Sequence, residues 1–173
     1  RLNENHGHLV FWKVKELYDK YSRGFHVVTD SDIVPDEKCP DDFLKRFIKI
    51  LIKNNEVTKV GFSLKIDDIP DTNPNKQKVI DWESQFWKNT KKDGNYKAAI
   101  DTTFALYKPK YRYDKNNFYD AIRTKEPYCA IHGGWYLDIT NLTEEQTYYF
   151  NSCNDSSSWR IDSKGKLNTK DYG

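Results

Sequence analysis

The sequence predicts an α/β domain in which helices flank a mixed, mainly parallel β-sheet. Its first third alternates amphipathic helix patterns with short apolar strand patterns, which is the order typical of sheets with parallel strands. A length of 173 residues suffices for one well-buried core and is too short for two ordinary domains. The composition, with 37% hydrophobic and 15% aromatic residues, can fill such a core. We therefore expect one domain over residues 1–173.

Four segments carry apolar residues at the three- and four-residue intervals of an amphipathic helix. The clearest spans residues 43–52, and an earlier one spans residues 8–21. A third covers residues 73–89 and has Pro74 near its first turn, where a proline removes no hydrogen bond that the helix needs. The last covers residues 143–153.

Runs of β-branched and aromatic residues between these helices predict five short strands. The first two strands alternate with the first two helices, and this order implies a largely parallel sheet. Beyond the last helix, residues 155–173 are predicted to form an irregular tail. The strand candidates are 25–29, 57–66, 96–100, 102–107 and 129–136.

Charge and cysteine content exclude several function classes. The 28 basic and 26 acidic residues give a net charge of +2 and form no Lys/Arg block, which argues against a nucleic-acid partner. No apolar run approaches the ~18 residues that a transmembrane helix needs. The three cysteines have no CxxC spacing and an odd count, so a disulfide framework is not expected. A reducing compartment fits best, and we expect a cytoplasmic protein without a transmembrane segment.

Two carboxylates, Asp30 and Asp32, directly follow the first predicted strand in the run "FHVVTDSDIVP". In an extended chain positions i and i+2 point the same way, so both side chains can face one pocket. Open α/β sheets bind ligands beyond the carboxyl ends of their strands. Two anions that close repel each other unless a cation lies between them, and carboxylate oxygens suit Mg²⁺ or Mn²⁺. The pattern favours a metal site, with an Asx turn at the strand end as the structural alternative.

Two other acidic pairs have simpler explanations. Asp41 and Asp42 precede the helix at 43–52, where carboxylates cap free backbone amides and complement the helix dipole. Asp67 and Asp68 precede a turn-like Ile-Pro segment, so turn chemistry accounts for them. Neither pair predicts a functional site.

Glu83 and Asp101 are the candidates for a catalytic carboxylate. Glu83 falls in the middle of the apolar face of the third helix, so it is predicted to face the interior. A charge there needs a partner, which leaves a structural ion pair and a pocket base for a substrate hydroxyl both open. Asp101 ends the strand candidate at 96–100, with a turn or N-cap aspartate as the alternative.

His132 and Arg123 carry weaker signals. His132 follows a strand candidate and precedes two glycines that permit close backbone approach, a setting compatible with a ligand-binding histidine. Arg123 could clamp a phosphate, although a surface or ion-pairing arginine is the simpler interpretation.

Six motifs follow one another in the order "VVTDSDIVP", "VGFSLKI", "DWESQFW", "IDTTFALY", "AIRTKEPY" and "IHGGWY". Together they resemble GT-A fold glycosyltransferases, in particular the small family-2-type enzymes of bacteria and large algal viruses. The resemblance covers residues 2–140 and implies a Rossmann-like sheet flanked by helices. It also implies the metal-dependent transfer of a sugar from a nucleoside diphosphate sugar, expected to be UDP-linked, to a hydroxyl of a glycan or other acceptor.

The resemblance assigns roles on the donor side. The run Asp30-Ser31-Asp32 matches the D-x-D motif that holds Mn²⁺ or Mg²⁺ on the donor diphosphate. Asp32 matches the direct metal ligand, and Asp30 matches the residue nearer the ribose or sugar. His132 matches a late histidine that completes the metal or diphosphate site, and Arg123 is expected to contact the donor.

On the acceptor side, Asp101 and Glu83 both match the acidic base, and the resemblance does not decide between them. Aromatic rings and hydroxyls near these carboxylates would suit sugar binding. The opening "RLNENHGH" resembles a segment that lines the nucleotide site. The expected substrate contacts are Trp82, Thr102 and Trp135, and the expected nucleotide contacts are Asn5 and Gly7.

Folds of this kind begin with a strand, a helix and a strand that cradle the base, and no counterpart precedes Arg1. We therefore expect either that the chain is a piece of a longer protein and this segment is missing from the piece, or that the nucleotide pocket is incomplete. The alternative function is a non-catalytic nucleotide- or carbohydrate-binding module of the same fold. A metal-dependent phosphohydrolase shares the paired aspartates and ranks below both.

Overall fold

The computed structural model describes residues 2–4, 6–152 and 162, and within them it contains five α-helices, six β-strands and two 3₁₀ turns. The predicted tail at 155–173 lies outside the described residues except for residue 162. The helices are α1 (Val10–Lys13), α2 (Lys15–Tyr21), α3 (Phe43–Lys53), α4 (Lys76–Glu83) and α5 (Glu144–Ser152). The strands are β1 (His26–Val28), β2 (Ile33–Pro35), β3 (Lys59–Leu64), β4 (Tyr96–Lys97), β5 (Ala105–Tyr107) and β6 (Ala121–His132). The 3₁₀ turns are Ser84–Trp87 and Gly133–Tyr136.

The strands form one mixed sheet that is mostly antiparallel, so the α/β class is confirmed and the mainly parallel order is wrong. The order is β1-β5-β3-β6-β2, and β4 also pairs with β6. Among the described strands, β3 and β6 pair in parallel and the other four pairs are antiparallel. The strands β1 and β3 run in the same direction. They are not neighbours, however, because β5 lies between them and is antiparallel to both.

The strand β6 is longer than predicted. It begins at Ala121, eight residues before the candidate at 129–136, and its first part pairs with β3 and β4. Its last three residues pair with β2, a three-residue strand that the sequence pattern did not predict. A strand this short and ending in Pro35 has too little alternation to be recognised.

Two predicted helices begin or break at different places. The helix predicted at 8–21 is interrupted at Val14, whose ψ of 103° is extended, and so forms α1 and α2. The third helix begins at residue 76 because Asn73 accepts a hydrogen bond from the Asn75 amide and holds the preceding turn. The Asn73 side-chain amide in turn donates to the Trp135 carbonyl, which ties this turn to the 3₁₀ turn after β6.

The core lies between α3 and the sheet. The apolar face of α3 buries Phe47 and Leu51 completely against Phe62 of β3. Truncating a buried phenylalanine such as Phe47 to alanine costs about 3–5 kcal/mol, so this face contributes strongly to stability. Where β3 pairs with β5, a Cβ at Gly61 would lie 2.2 Å from the Phe104 carbonyl oxygen, which leaves room only for glycine.

Among the described residues, every helix falls short of the length and apolar character needed to cross a membrane.

Candidate functional site

The first side of the site forms where β1 ends and β5 begins. These strands are antiparallel with Val28 opposite Ala105, so the chain after β1 meets the chain before β5. Asp30 and Thr102 face each other there, and the Thr102 hydroxyl donates a hydrogen bond of 3.4 Å to the Asp30 carboxylate. Thr102 is buried, so this contact lies at the inner edge of the site.

The second side forms where β2 meets the end of β6. Ile33 pairs with His132, which places Asp32 beside the glycines that follow β6. The Gly133 amide donates to the Asp32 carbonyl at 2.7 Å, and the Gly134 amide donates to the Asp32 carboxylate at 3.2 Å. A Cβ at Gly133 would lie 3.1 Å from the Asp32 carbonyl oxygen, so glycine permits this close approach.

The His132 imidazole lies next to the same carboxylate. Its Nδ1 is 3.4 Å from Asp32 Oδ2, and its ring stacks on Trp135 with centroids 4.8 Å apart. Burial lowers the pKa of His132, while the charges of Asp32 and Asp101 oppose that effect. Because the ordinary pKa is 6.5, this imidazole is neutral at pH 7 and retains the lone pair that a metal ligand or proton acceptor needs.

Asp101 completes a group of three carboxylates. The pKa of Asp30 is raised to about 6, mainly by burial and then by the charge of Asp101, with a smaller contribution from Asp32, while the Thr102 hydroxyl lowers it. Asp101 itself is exposed, and its Oδ1 accepts a hydrogen bond from the Thr103 amide at 3.0 Å, as in an Asx turn. The group therefore concentrates negative charge at the end of the sheet where β1 finishes and β5 begins. Such an arrangement attracts a cation or a proton.

Glu83 forms a buried ion pair with Arg123 and lies near enough to Asp101 for that charge to raise its pKa. It is 2% exposed and accepts a hydrogen bond from Arg123, which is 4% exposed. The pKa of Glu83 is raised to about 7, because burial raises it by more than the charge and hydrogen bond of Arg123 lower it. The guanidinium also donates to the Ala99 carbonyl at 2.8 Å and lies 4.1 Å from the centre of the Phe86 ring. This geometry favours the structural ion pair for Glu83 and commits Arg123 to protein partners, which leaves Asp101 as the stronger base candidate.

The remaining predicted contacts have mixed positions. Trp135 is 1% exposed and packs in the core, so its ring supports His132 and offers no open face for a sugar. Trp82 is 40% exposed on α4, beside Glu83. Ser31 is exposed between the two aspartates, and Gly7 has a φ of 74° in the turn leading into α1. Asn5 lies outside the described residues.

The other acidic pairs act in the structure rather than at the site. The Asp42 carboxylate makes no capping hydrogen bond on α3, contrary to the capping prediction, and instead accepts a hydrogen bond from the Tyr128 hydroxyl. Asp68 accepts hydrogen bonds from the Tyr136 hydroxyl and forms an ion pair with Lys65.

Sequence reasoning missed Lys59, whose side chain reaches the Asp101 carbonyl from β3. Its sequence signal is weak, because a lysine at the start of a strand is unusual only once the structure shows that all six residues of β3 are buried. Two cavities of about 490 and 270 Å³ lie beside Asn89 and Lys97, and no carboxylate of the group lines them.

Within residues 2–4, 6–152 and 162, no three His, Cys, Asp or Glu side chains are arranged to enclose a metal ion. Comparison with protein-family models, with curated proteins and with solved structures found no match to this chain.

Proposed function

We propose that the chain is a metal-dependent glycosyltransferase domain of the GT-A type. It transfers a sugar from a nucleoside diphosphate sugar to an acceptor hydroxyl. The donor is expected to be a UDP-sugar. The observation that carries this proposal is the convergence of Asp30, Asp32, Asp101 and His132, from three separate segments, at the end of the sheet where β1 and β6 finish. The resemblance of the six ordered motifs supports the same activity.

The donor set suits a cation that the protein holds only in part. Two carboxylates, Asp30 and Asp32, supply hard oxygen ligands, and Mg²⁺ commonly takes one or two carboxylates with substrate phosphates completing its shell. The raised pKa of Asp30 fits this role, because a neighbouring cation would relieve the repulsion among the carboxylates. A cage made entirely of side chains does not fit the described residues. When bound, the ion would neutralise charge that develops on the leaving diphosphate.

The chain's own groups divide the remaining work. Asp101, exposed and facing the group of carboxylates, accepts the proton of the acceptor hydroxyl. The neutral imidazole of His132 lies beside Asp32 and limits the ways in which that carboxylate can turn. The Gly134 amide holds the same carboxylate through its hydrogen bond, so Asp32 is oriented before any ligand arrives.

Isothermal titration of the full chain with UDP tests the metal assignment. UDP should bind in the presence of Mn²⁺, and binding should disappear with EDTA and in Asp32→Ala. Asp81→Ala is the matched control, because Asp81 is an exposed carboxylate on α4 whose loss should leave UDP affinity unchanged. UDP affinity that is equal in Asp32→Ala and the wild type would refute the assignment.

A non-catalytic binding module of the same fold is the second candidate, favoured because both base candidates are already engaged: Glu83 pairs with Arg123, and Asp101 Oδ1 accepts the Thr103 amide. Incubating the full chain with UDP-sugars and Mn²⁺ and separating the products by chromatography discriminates between the two. Release of UDP indicates transfer or donor hydrolysis, whereas UDP binding without turnover indicates the module. Release of inorganic phosphate in place of intact UDP would instead indicate a phosphohydrolase.

A further inference from the structure

Lys59, at the start of β3, is a fully buried cation that the proposed reaction does not use. Its side chain is 0% exposed, and its Nζ donates to the Asp101 carbonyl at 2.7 Å and to the Tyr107 hydroxyl oxygen at 2.9 Å. The ammonium also lies 3.6 Å from the centre of the Phe118 ring, within cation–π range. A buried charge is costly to retain, so its position needs an explanation.

A second buried cation acts on the same segment. Arg123 donates from Nε to the Ala99 carbonyl at 2.8 Å. The strands β3 and β6 are parallel neighbours, with Lys59 opposite Ala121, so Arg123 lies two residues further along. Two cations from adjacent strands therefore hold two carbonyls of the segment 99–101, and these carbonyls are also two residues apart.

The residues held in this way lead directly into the candidate site. Thr102 follows Asp101 and donates its hydroxyl hydrogen to Asp30. The Asp101 carboxylate accepts the Thr103 amide within its own turn, so its position depends on where the main chain lies. Fixing the Asp101 carbonyl consequently fixes both the carboxylate and the threonine that face Asp30.

We propose that Lys59 is a positioning residue of the carboxylate site, whose ammonium anchors the Asp101 main chain so that Asp101 and Thr102 face Asp30. The inference rests on the proposed function only in taking Asp101 as the proton acceptor. The anchoring itself is a property of the folded chain and can be measured without any substrate.

The anchoring depends on pH. The pKa of Lys59 is lowered to about 7, mainly by burial, with the Asp101 charge opposing this shift and the Arg123 charge contributing to it. The Tyr107 hydroxyl also faces the ammonium, and burial raises its pKa, so it stays protonated across the neutral range. Because a neutral amine donates weaker hydrogen bonds than an ammonium, the hold on the Asp101 carbonyl weakens as pH rises through 7.

Hydrogen exchange of the Thr103 amide, followed by NMR on the full chain, tests the anchoring. Lys59→Met keeps the volume and removes the donors, and it should lower the protection factor of this amide about tenfold or more. In the wild type the protection factor should fall between about pH 6 and pH 8, and in Lys59→Met it should not depend on pH. The Tyr107 hydroxyl also donates to the Asp101 carbonyl, at 3.2 Å, so Tyr107→Phe removes this longer bond and keeps the one from Lys59. It should therefore lower the protection factor less than Lys59→Met does and should keep the pH dependence.

Thermal unfolding separates positioning from a general structural role. Burying methionine in place of a charge is not expected to destabilise the fold, so the midpoint of Lys59→Met should stay within about 3 °C of the wild type or exceed it. Equal loss of protection at all amides, with a lower midpoint, would make Lys59 merely structural and overturn the proposal. Unchanged protection at Thr103 would overturn it as well.

UDP titration with Mn²⁺ on the wild type judges the proposed function separately. If the wild type releases UDP, Lys59→Met should lower kcat by about tenfold or more and change the donor KM by less than about threefold. An equal rise in KM with kcat retained would contradict the positioning role. Absence of UDP binding would refute the proposed function, while the exchange experiment would still decide whether Lys59 anchors Asp101.

Discussion

The hydroxyl of Thr102 donates a hydrogen bond to the carboxylate of Asp30, which lies 72 residues earlier in the chain. This contact joins the end of β1 to the start of β5, and it lowers the pKa of Asp30 against the larger opposing effects of burial and the Asp101 charge. It links the fold to the chemistry of the site, since strand pairing brings the two residues together and their hydrogen bond then acts on a proton equilibrium.

Replacing Thr102 with valine should raise the pKa of Asp30 above its present value of about 6. Valine has nearly the shape of threonine and lacks the hydroxyl that stabilises the carboxylate, so the rise should be roughly half a pH unit or more. NMR titration of the Asp30 carboxyl carbon in EDTA measures the pKa. Thr102→Ser keeps the hydroxyl and should leave the pKa near that of the wild type. An unchanged pKa in Thr102→Val would show that the hydrogen bond has no influence on ionisation.

Asp30→Asn should stabilise the protein at pH 7.5. The pKa of Asp30 is higher in the folded protein than the ordinary 3.8, so its contribution to stability is present at low pH and lost as pH rises through about 6. One pH unit corresponds to about 1.4 kcal/mol, and the expected gain in the free energy of unfolding is therefore about 1–3 kcal/mol at pH 7.5.

Urea unfolding of Asp30→Asn at pH 4 and pH 7.5, in EDTA, checks the pH dependence. The stabilisation should shrink at pH 4, where the wild-type carboxyl is protonated in the folded state. Asp81→Asn, an exposed carboxylate on α4, should change the free energy of unfolding by less than about 0.5 kcal/mol at either pH. Loss of stability in Asp30→Asn at pH 7.5 would contradict the crowding of carboxylates.

Breaking the buried pair of Glu83 and Arg123 should be strongly destabilising. Glu83→Leu leaves the Arg123 charge buried and unpaired, so the free energy of unfolding should fall by about 3–5 kcal/mol. The double variant Glu83→Leu with Arg123→Met removes both charges and should recover at least half of this loss. A double-mutant cycle by urea unfolding measures the coupling, and purely additive losses would mean that the two side chains do not act as a pair.

Gly61→Ala should destabilise the sheet where β3 pairs with β5. The added Cβ would lie 2.2 Å from the Phe104 carbonyl oxygen, and a backbone atom cannot move away without disturbing the strand pairing. The expected loss is about 3 kcal/mol or more in the free energy of unfolding. Gly24→Ala is the control, because a Cβ there meets no atom within 4 Å. Equal stability of the two variants would contradict the close contact between these strands.

Several elements could be predicted from local sequence alone. The helix α3 begins at the predicted residue 43 and extends one residue past the predicted end, because its apolar residues repeat with helical spacing over three turns. The strand β3 lies within the predicted range 57–66, and the pair Asp30 and Asp32 does follow a strand. Each of these features depends on residues that are near one another in the chain, so periodicity and propensity suffice to find them.

The sheet order and the partners within the site depend on tertiary structure. Nothing local indicates that β5 inserts between β1 and β3, because strand pairing depends on contacts between distant segments. The same holds for Glu83, for which the sequence left a structural ion pair and a pocket base both open. Its contact with Arg123, 40 residues later in the chain, favours the ion pair. Lys59 illustrates the point further, since its charge becomes informative only once the strand around it is seen to be buried on both faces.

The sequence by itself determined that two charged residues, Asp30 and Asp32, follow the end of a strand. The strand pattern and the aspartates are contiguous in the chain, so no distant contact is needed to find them. Only the tertiary structure decided which side chains each of these aspartates contacts. The register of β1 on β5 and of β2 on β6 brings Asp30 to Thr102 and Asp32 to His132. The physical reason is that hydrogen-bonded register is set by long-range pairing, and side-chain chemistry at a site follows from that register.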